Sequence, residues 1–159
     1  MKNVLSLFFL IYVLGLVGCD QAKEPLAEAK KEFAVPAMNS LVSIFEIPAT
    51  DMSRAVDFYQ NILDVEIEEM AFSGMEMGLL PYEDQMVTGV IIKGEGYQPS
   101  AQGLLLYLNG GDDLQVVLDK VAENGGEIVV PKTPHADESG FFAIFLDSEG
   151  NRMGLHSPN

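Results

Sequence analysis

Few residues in this chain carry side chains that could do chemistry, and their spacing narrows the options quickly. There is one cysteine, Cys19, and there are two histidines, His135 and His156. A single thiol has no internal disulfide partner, and no Cys/His spacing fits a zinc site. Gly94-Glu95-Gly96 is not completed by a Lys-Ser/Thr pair or a following helix, so it is no phosphate loop. Ser40 and Ser43 lack the glycine elbow and histidine partner of a nucleophilic serine. Met70, Met75, Met77 and Met86 bring thioethers together, a soft-metal donor set on paper but far more often irregular core filling. Any role for the remaining polar residues depends on which strand faces they occupy.

Cys19 has a role with a mechanism. One positive charge, Lys2, is followed by an apolar run from Val4 to Leu16. As a helix that run would span about 20 Å, short of the roughly 30 Å of bilayer hydrocarbon, so it reads as a secretory leader and not a membrane span. Leu16-Val17-Gly18-Cys19 resembles a lipobox, where bacterial signal peptidase cuts before a cysteine that bears diacylglycerol. The resemblance implies a leader at 1–18, a lipidated Cys19 at the new N-terminus, and a domain on the periplasmic or extracytoplasmic side of a bacterial membrane. Several acyl chains, at about 0.8 kcal/mol per buried CH₂, make such attachment effectively permanent. Asp20 resembles the signal for retention at the inner membrane. Residues 19–38, rich in Ala, Lys and Glu and punctuated by Pro25 and Pro36, read as a tether.

The elements that must position the remaining candidates begin at Asn39. Strands are predicted over Leu41–Pro48, Val65–Phe72, Met75–Leu80 and Val87–Lys93, with an amphipathic helix over Asp51–Leu63. After a Gly/Pro/Ser-rich link (94–100) the order returns. The second set has strands over Gly103–Asn109, Glu127–Val130, Phe141–Asp147 and Arg152–His156, and a helix over Asp113–Glu123. A shift of 62 brings Met52, Ala55, Val56 and Tyr59 onto Leu114, Val117, Leu118 and Val121. A shift of 61 brings Ile44–Ile47 onto Leu105–Leu108. Two modules, about 39–93 and 101–157, should therefore share one pseudo-symmetric α+β domain spanning 39–159. A formal charge of −15, with 9 basic against 24 acidic residues, excludes nucleic acid as a partner.

The run Phe45-Glu46-Ile47-Pro48-Ala49-Thr50-Asp51 with Arg54-Ala55 and Phe58-Tyr59 resembles the opening of vicinal-oxygen-chelate (VOC) proteins. Phe141–Asp147 followed by Glu149-Gly150-Asn151-Arg152 is similar to their end. These are the glyoxalase, bleomycin-resistance and extradiol-dioxygenase relatives. The resemblance implies two βαβββ modules paired into a curved, half-open, barrel-like mixed sheet around a cavity, often in dimers. In catalytic members a divalent metal lies between the half-sheets, held by His, Glu or Gln from the first and last strand of each module. It acts there as a Lewis acid. The corresponding positions here are Ile44, Leu105, Gly154 and, tentatively, Gly89, and none offers a side-chain donor. The expectation is no cofactor, with a divalent metal admitted only through a non-standard site.

Strand parity then nominates a pocket. If Ile44 and Leu105 face inward, so do Glu46 and Tyr107; if Gly154 does, so do Arg152 and His156. Ile44, Glu46, Leu105, Tyr107, Arg152 and His156 are the candidate ligand-binding residues, apolar walls with a few polar groups. For each polar member a bland role competes: Glu46 as a strand-end carboxylate, His156 as a neutral structural side chain, Tyr107 as packing. His135 falls in a segment, 131–140, that reads as a loop over the cavity. Three function classes follow. The first is a metal-independent small-molecule-binding or sequestering domain like the resistance-type relatives. The second is a VOC-type lyase, isomerase or oxygenase with a relocated site at Glu46 and His156. The third is a tethered interaction module with a collapsed cavity.

Overall fold

The computed structural model describes residues 42–82 and 87–159, all within one compact unit, Ala37–Asn159. The leader, Cys19, Asp20, the tether and Met86 lie outside the described residues. The chain order is β1 (Ile44–Pro48), α1 (Met52–Leu63), β2 (Glu68–Phe72), β3 (Met75–Leu79), β4 (Thr88–Lys93), β5 (Leu106–Asn109), α2 (Gln115–Val121), β6 (Glu127–Pro134), β7 (Phe141–Leu146) and β8 (Arg152–Ser157). Two four-stranded sheets result, ordered β1-β4-β3-β2 and β5-β8-β7-β6, each mixed because its first strand runs parallel to its last. The architecture is α+β, two βαβββ modules whose sheets do not close into a barrel. Among the described residues no helix is long and apolar enough to cross a membrane.

Helix α1 forms because Met52, Ala55, Val56, Tyr59 and Ile62 recur on one face, all buried. Asp51 starts it by accepting the Arg54 amide at 3.2 Å. Asp64 ends it in the left-handed region, at φ 54°. In the second module Leu114, Val117, Leu118 and Val121 are buried in the same pattern. Ile47 pairs with Ile91 and Leu108 pairs with Leu155. The helix and strand repeats therefore hold at their separate registers. Side chains of both modules form one core, in which Phe58 lies 6.1 Å from Phe145.

Several boundaries differ from the sequence expectation: β1 begins at Ile44 and not Leu41, and β2 at Glu68 and not Val65. β6 runs on to Pro134: its register shifts between Ile128 and Val130 and again between Val130 and Thr133, an interval that contains Pro131, so the missing N–H falls at an irregularity of the ladder. Of the segment expected as a loop over the cavity, 131–134 is thus strand, and 135–140 form a turn that leads into β7 (His135 N–H to Gly140 O, 2.8 Å). β5 begins only at Leu106: Gly103 sits at φ 110°, outside the strand region, and Leu105 immediately precedes the strand. α2 is shorter than expected, its first amide contacts going to Asp113 Oδ1 and, from Leu114, to Ser157 Oγ.

At the surface, Lys120 pairs with Asp64 across the modules at 2.6 Å, but Asp64 is 79% exposed. Solvent screening leaves such a pair worth little, so Asp64→Asn, which removes the charge and still tolerates the left-handed backbone, is expected to change stability by less than about 1 kcal/mol in urea denaturation.

Candidate functional site

Two cavities lie between the modules, along a seam that both edge strands, β1 and β5, line. The larger, about 480 Å³, is lined by all of β1, by Leu104 and Leu106, by Gln98, Ser100 and Gln102 of the link, and by Asn151, Arg152 and Met153. The smaller, about 290 Å³, takes Phe45, Gly89 and Val87 from one module and Tyr107, Leu108 and Asn109 from the other, with Leu63, Val65 and Leu80.

One turn frames the larger cavity. Asp147, 3% exposed, takes four hydrogen bonds: the Tyr59 hydroxyl at 2.7 Å, the Glu149 and Asn151 amides at 2.9 and 2.8 Å, and Asn151 Nδ2 at 2.9 Å. Burial first, then the charge and hydrogen bond of Asp147, push the Tyr59 hydroxyl well above its ordinary pKa, so it stays a donor. Asn151 reaches across with Nδ2 to the Pro48 carbonyl (2.8 Å) and takes the Ser100 amide on Oδ1 (3.0 Å). Glu149, with a side chain 1% exposed, accepts from the Thr50 amide and hydroxyl, the Asp51 amide and Arg54 Nε at 2.6–3.1 Å. A carboxylate from the second module thus caps the start of α1 in the first, where the helix dipole favours negative charge. Pro48, Ser100, Asn151 and Arg152, all held by this turn, are walls of the cavity.

The six nominated residues divide. Ile44 (60% exposed), Glu46 and Arg152 line the larger cavity. The Tyr97 hydroxyl is raised in pKa by burial and then by the charge and hydrogen bond of Glu46, which places it against that carboxylate. Tyr107 belongs to the smaller cavity, and its ring covers Gly154: a Cβ there would lie 2.5 Å from it. Leu105 is half-buried and lines neither cavity. His156 lines neither as well; its ring lies 5.4 Å from His135, which stacks 4.9 Å from Phe142. Glu46 and His156 therefore share no cavity.

Gly89 stands opposite Phe45 and beneath its ring, on the face that carries Ile47 and Ile91 into the core. Register makes Val90, paired with Glu46, the counterpart of Gly154, paired with Tyr107. That position is apolar too. Among the described residues no group of three or more His, Cys, Asp or Glu is gathered closely enough to hold a metal ion. Met70 and Met77 pair across β2 and β3, with Met75 on the same face.

Parity missed Gln98, Ser100, Gln102, Leu106 and Met153. An edge strand offers both faces and its free edge to a seam, so choosing one face discards half the lining. The link residues carry only turn chemistry in their sequence.

This fold and this framed seam define a class. The chain belongs to the glyoxalase/bleomycin resistance protein/dioxygenase superfamily, whose profile matches residues 41–155. It is 32% identical over 126 residues to a glyoxylase-like domain-containing protein of Didymella fabae, covering 74% of this chain and 94% of that one. Its structure is similar to TnmS3, an antibiotic binding protein from Streptomyces sp., with a TM-score of 0.59 at 23% identity, covering 76% and 97% of the two chains. It is also similar to the fosfomycin resistance protein FosX from Listeria monocytogenes, with a TM-score of 0.54 at 19% identity, covering 76% and 91%. At such identities the likeness to these two speaks for fold.

Proposed function

We propose that this chain is a lipid-anchored, metal-independent small-molecule-binding protein whose ligand occupies the larger seam cavity. The cavity carries the reading. Its volume is within the range of small-molecule sites, and its lining mixes Ile44, Leu104, Leu106 and Met153 with a few polar groups. An interaction module with a collapsed seam would have no use for it. The family's divalent metal would need donors at Ile44, Gly89, Leu105 and Gly154, or at Val90 by register. These side chains supply none, and the Tyr107 ring occupies the space over Gly154. The site's chemistry is then binding and orientation: apolar walls exclude water while Arg152, Glu46 and the link amides select polar groups. An antibiotic-sized guest, as the name of TnmS3 implies for that protein, is of the right class.

The anchor rests on the first nineteen residues: a charged start, a short apolar run and the lipobox-like Leu16–Cys19. It puts the domain outside the cytoplasm, at the inner membrane if Asp20 is read as a retention signal. A homodimer would suit the family.

The test uses residues 19–159 with Cys19→Ser, which leaves no lipid to compete for a probe. Neutral phenylnaphthylamine should bind with a single saturable fluorescence rise, unchanged by EDTA. Ile44→Asp sets a carboxylate in the cavity and should weaken that binding by about tenfold, the cost of leaving a charge against an apolar guest. Loss of binding in EDTA, or no saturable binding at all, would overturn the proposal.

A further inference from the structure

Resting on that cavity as the binding site, we infer that Arg152 is an anion anchor, and that the preferred ligand is an apolar molecule bearing one carboxylate, sulfonate or comparable oxyanion. The described residues include five basic side chains. Four have acidic partners: Arg54 with Glu149, Lys93 with Glu76, Lys120 with Asp64 and Lys132 with Asp113, each at 2.6–2.7 Å. Arg152 has no ion pair and no side-chain hydrogen bond among the described residues. That is unusual in a chain with 24 acidic residues to 9 basic ones. It is also half-buried in a cavity wall, where a guest can reach it.

The surroundings point the same way. The Arg152 amide is bound to the Ser100 carbonyl at 3.2 Å, and the neighbouring Asn151 is locked by the turn. The guanidinium therefore projects from a fixed backbone. A planar fork of donors on a rigid base matches a carboxylate or sulfonate better than it matches water. Gln98 and Gln102 line the same cavity with amides that can donate. The one acid in the lining, Glu46, is not within ion-pair distance of Arg152 and is engaged by Tyr97. An incoming anion thus finds Arg152 uncompensated, with Glu46 opposing it from the same cavity.

Two probes with one aromatic frame isolate the charge: anilinonaphthalene sulfonate and neutral phenylnaphthylamine, each titrated into residues 19–159 with Cys19→Ser. The wild type should bind the sulfonate about tenfold more tightly, the worth of a charge-assisted contact, and each probe should displace the other. Arg152→Gln should bring the affinity ratio close to one, Arg152→Lys should keep part of the preference, and Glu46→Gln should raise it. A wild type without preference for the sulfonate, or a ratio unmoved by Arg152→Gln, overturns the anchor while leaving the cavity as a binding site. Failure of both probes overturns the cavity reading itself.

Discussion

Asp147→Ala is expected to lower stability by about 3–5 kcal/mol, the range for stripping a buried, charge-bearing hub from its partners. A melting temperature lower by about 10 °C or more should accompany it. The carboxylate takes four hydrogen bonds in a site 3% exposed, and its loss strands the Tyr59 hydroxyl in the core with no acceptor. Tyr59→Phe removes one donor only and leaves three on Asp147, so it should cost less, about 1–2 kcal/mol. Urea denaturation of the two variants checks the order. Equal costs would mean that the Tyr59 bond, and not the turn, carries the effect. Because Asn151 and Arg152 hang from this turn, Asp147→Ala should also weaken probe binding at temperatures where it remains folded.

Glu149→Gln should cost about 2–3 kcal/mol at neutral pH and change how stability depends on acid. Burial raises the carboxylate's pKa, but the hydrogen bonds from Arg54, Thr50 and Asp51 outweigh it and hold the group below its ordinary 4.5. A carboxylate depressed on folding stabilises the folded state above its unfolded-state value, and that contribution vanishes as pH falls through the lower folded value. The wild type should therefore lose stability below about pH 4.5 more steeply than Glu149→Gln, which has no such proton to gain. Parallel acid limbs in urea titrations at pH 7 and between pH 5 and 3 would remove Glu149 from the account. Asp147 and Glu149 share one turn, so their costs should not add.

The docking of these residues explains why two short sequence stretches announce the fold so clearly. Phe45–Asp51 with Arg54 and Tyr59, and Asp147–Arg152, lie about 90–100 positions apart in sequence yet contact each other through Tyr59–Asp147, Thr50–Glu149, Arg54–Glu149 and Pro48–Asn151. They mark the clamp between modules, and a clamp is a property of architecture. That is why they say little about chemistry.

Element order and helix faces were legible because burial imposes periods of 3.6 and 2 that survive in single side chains such as Tyr59 and Leu118. The continuation of β6 through Pro131 was not, since proline reads as a stop until a register shift makes its missing N–H harmless. The cavity was half legible. Ile44 came from the resemblance and Glu46 and Arg152 from parity, whereas His156 was drawn by the same parity and instead joins the His135–Phe142 cluster. Parity states which side of a sheet a residue faces; it does not state where along a wide concave face the neighbouring module leaves a gap. Gln98 and Gln102 come from a link whose path only the second module fixes.

The seam is proposed to bind its guest without a divalent ion. The most direct measurement is the metal-to-protein ratio, by elemental analysis, of residues 19–159 with Cys19→Ser, purified without chelators and saturated with phenylnaphthylamine. One bound probe per chain and no stoichiometric divalent metal are expected. One equivalent of metal, lost together with the probe on adding EDTA, would contradict the proposal.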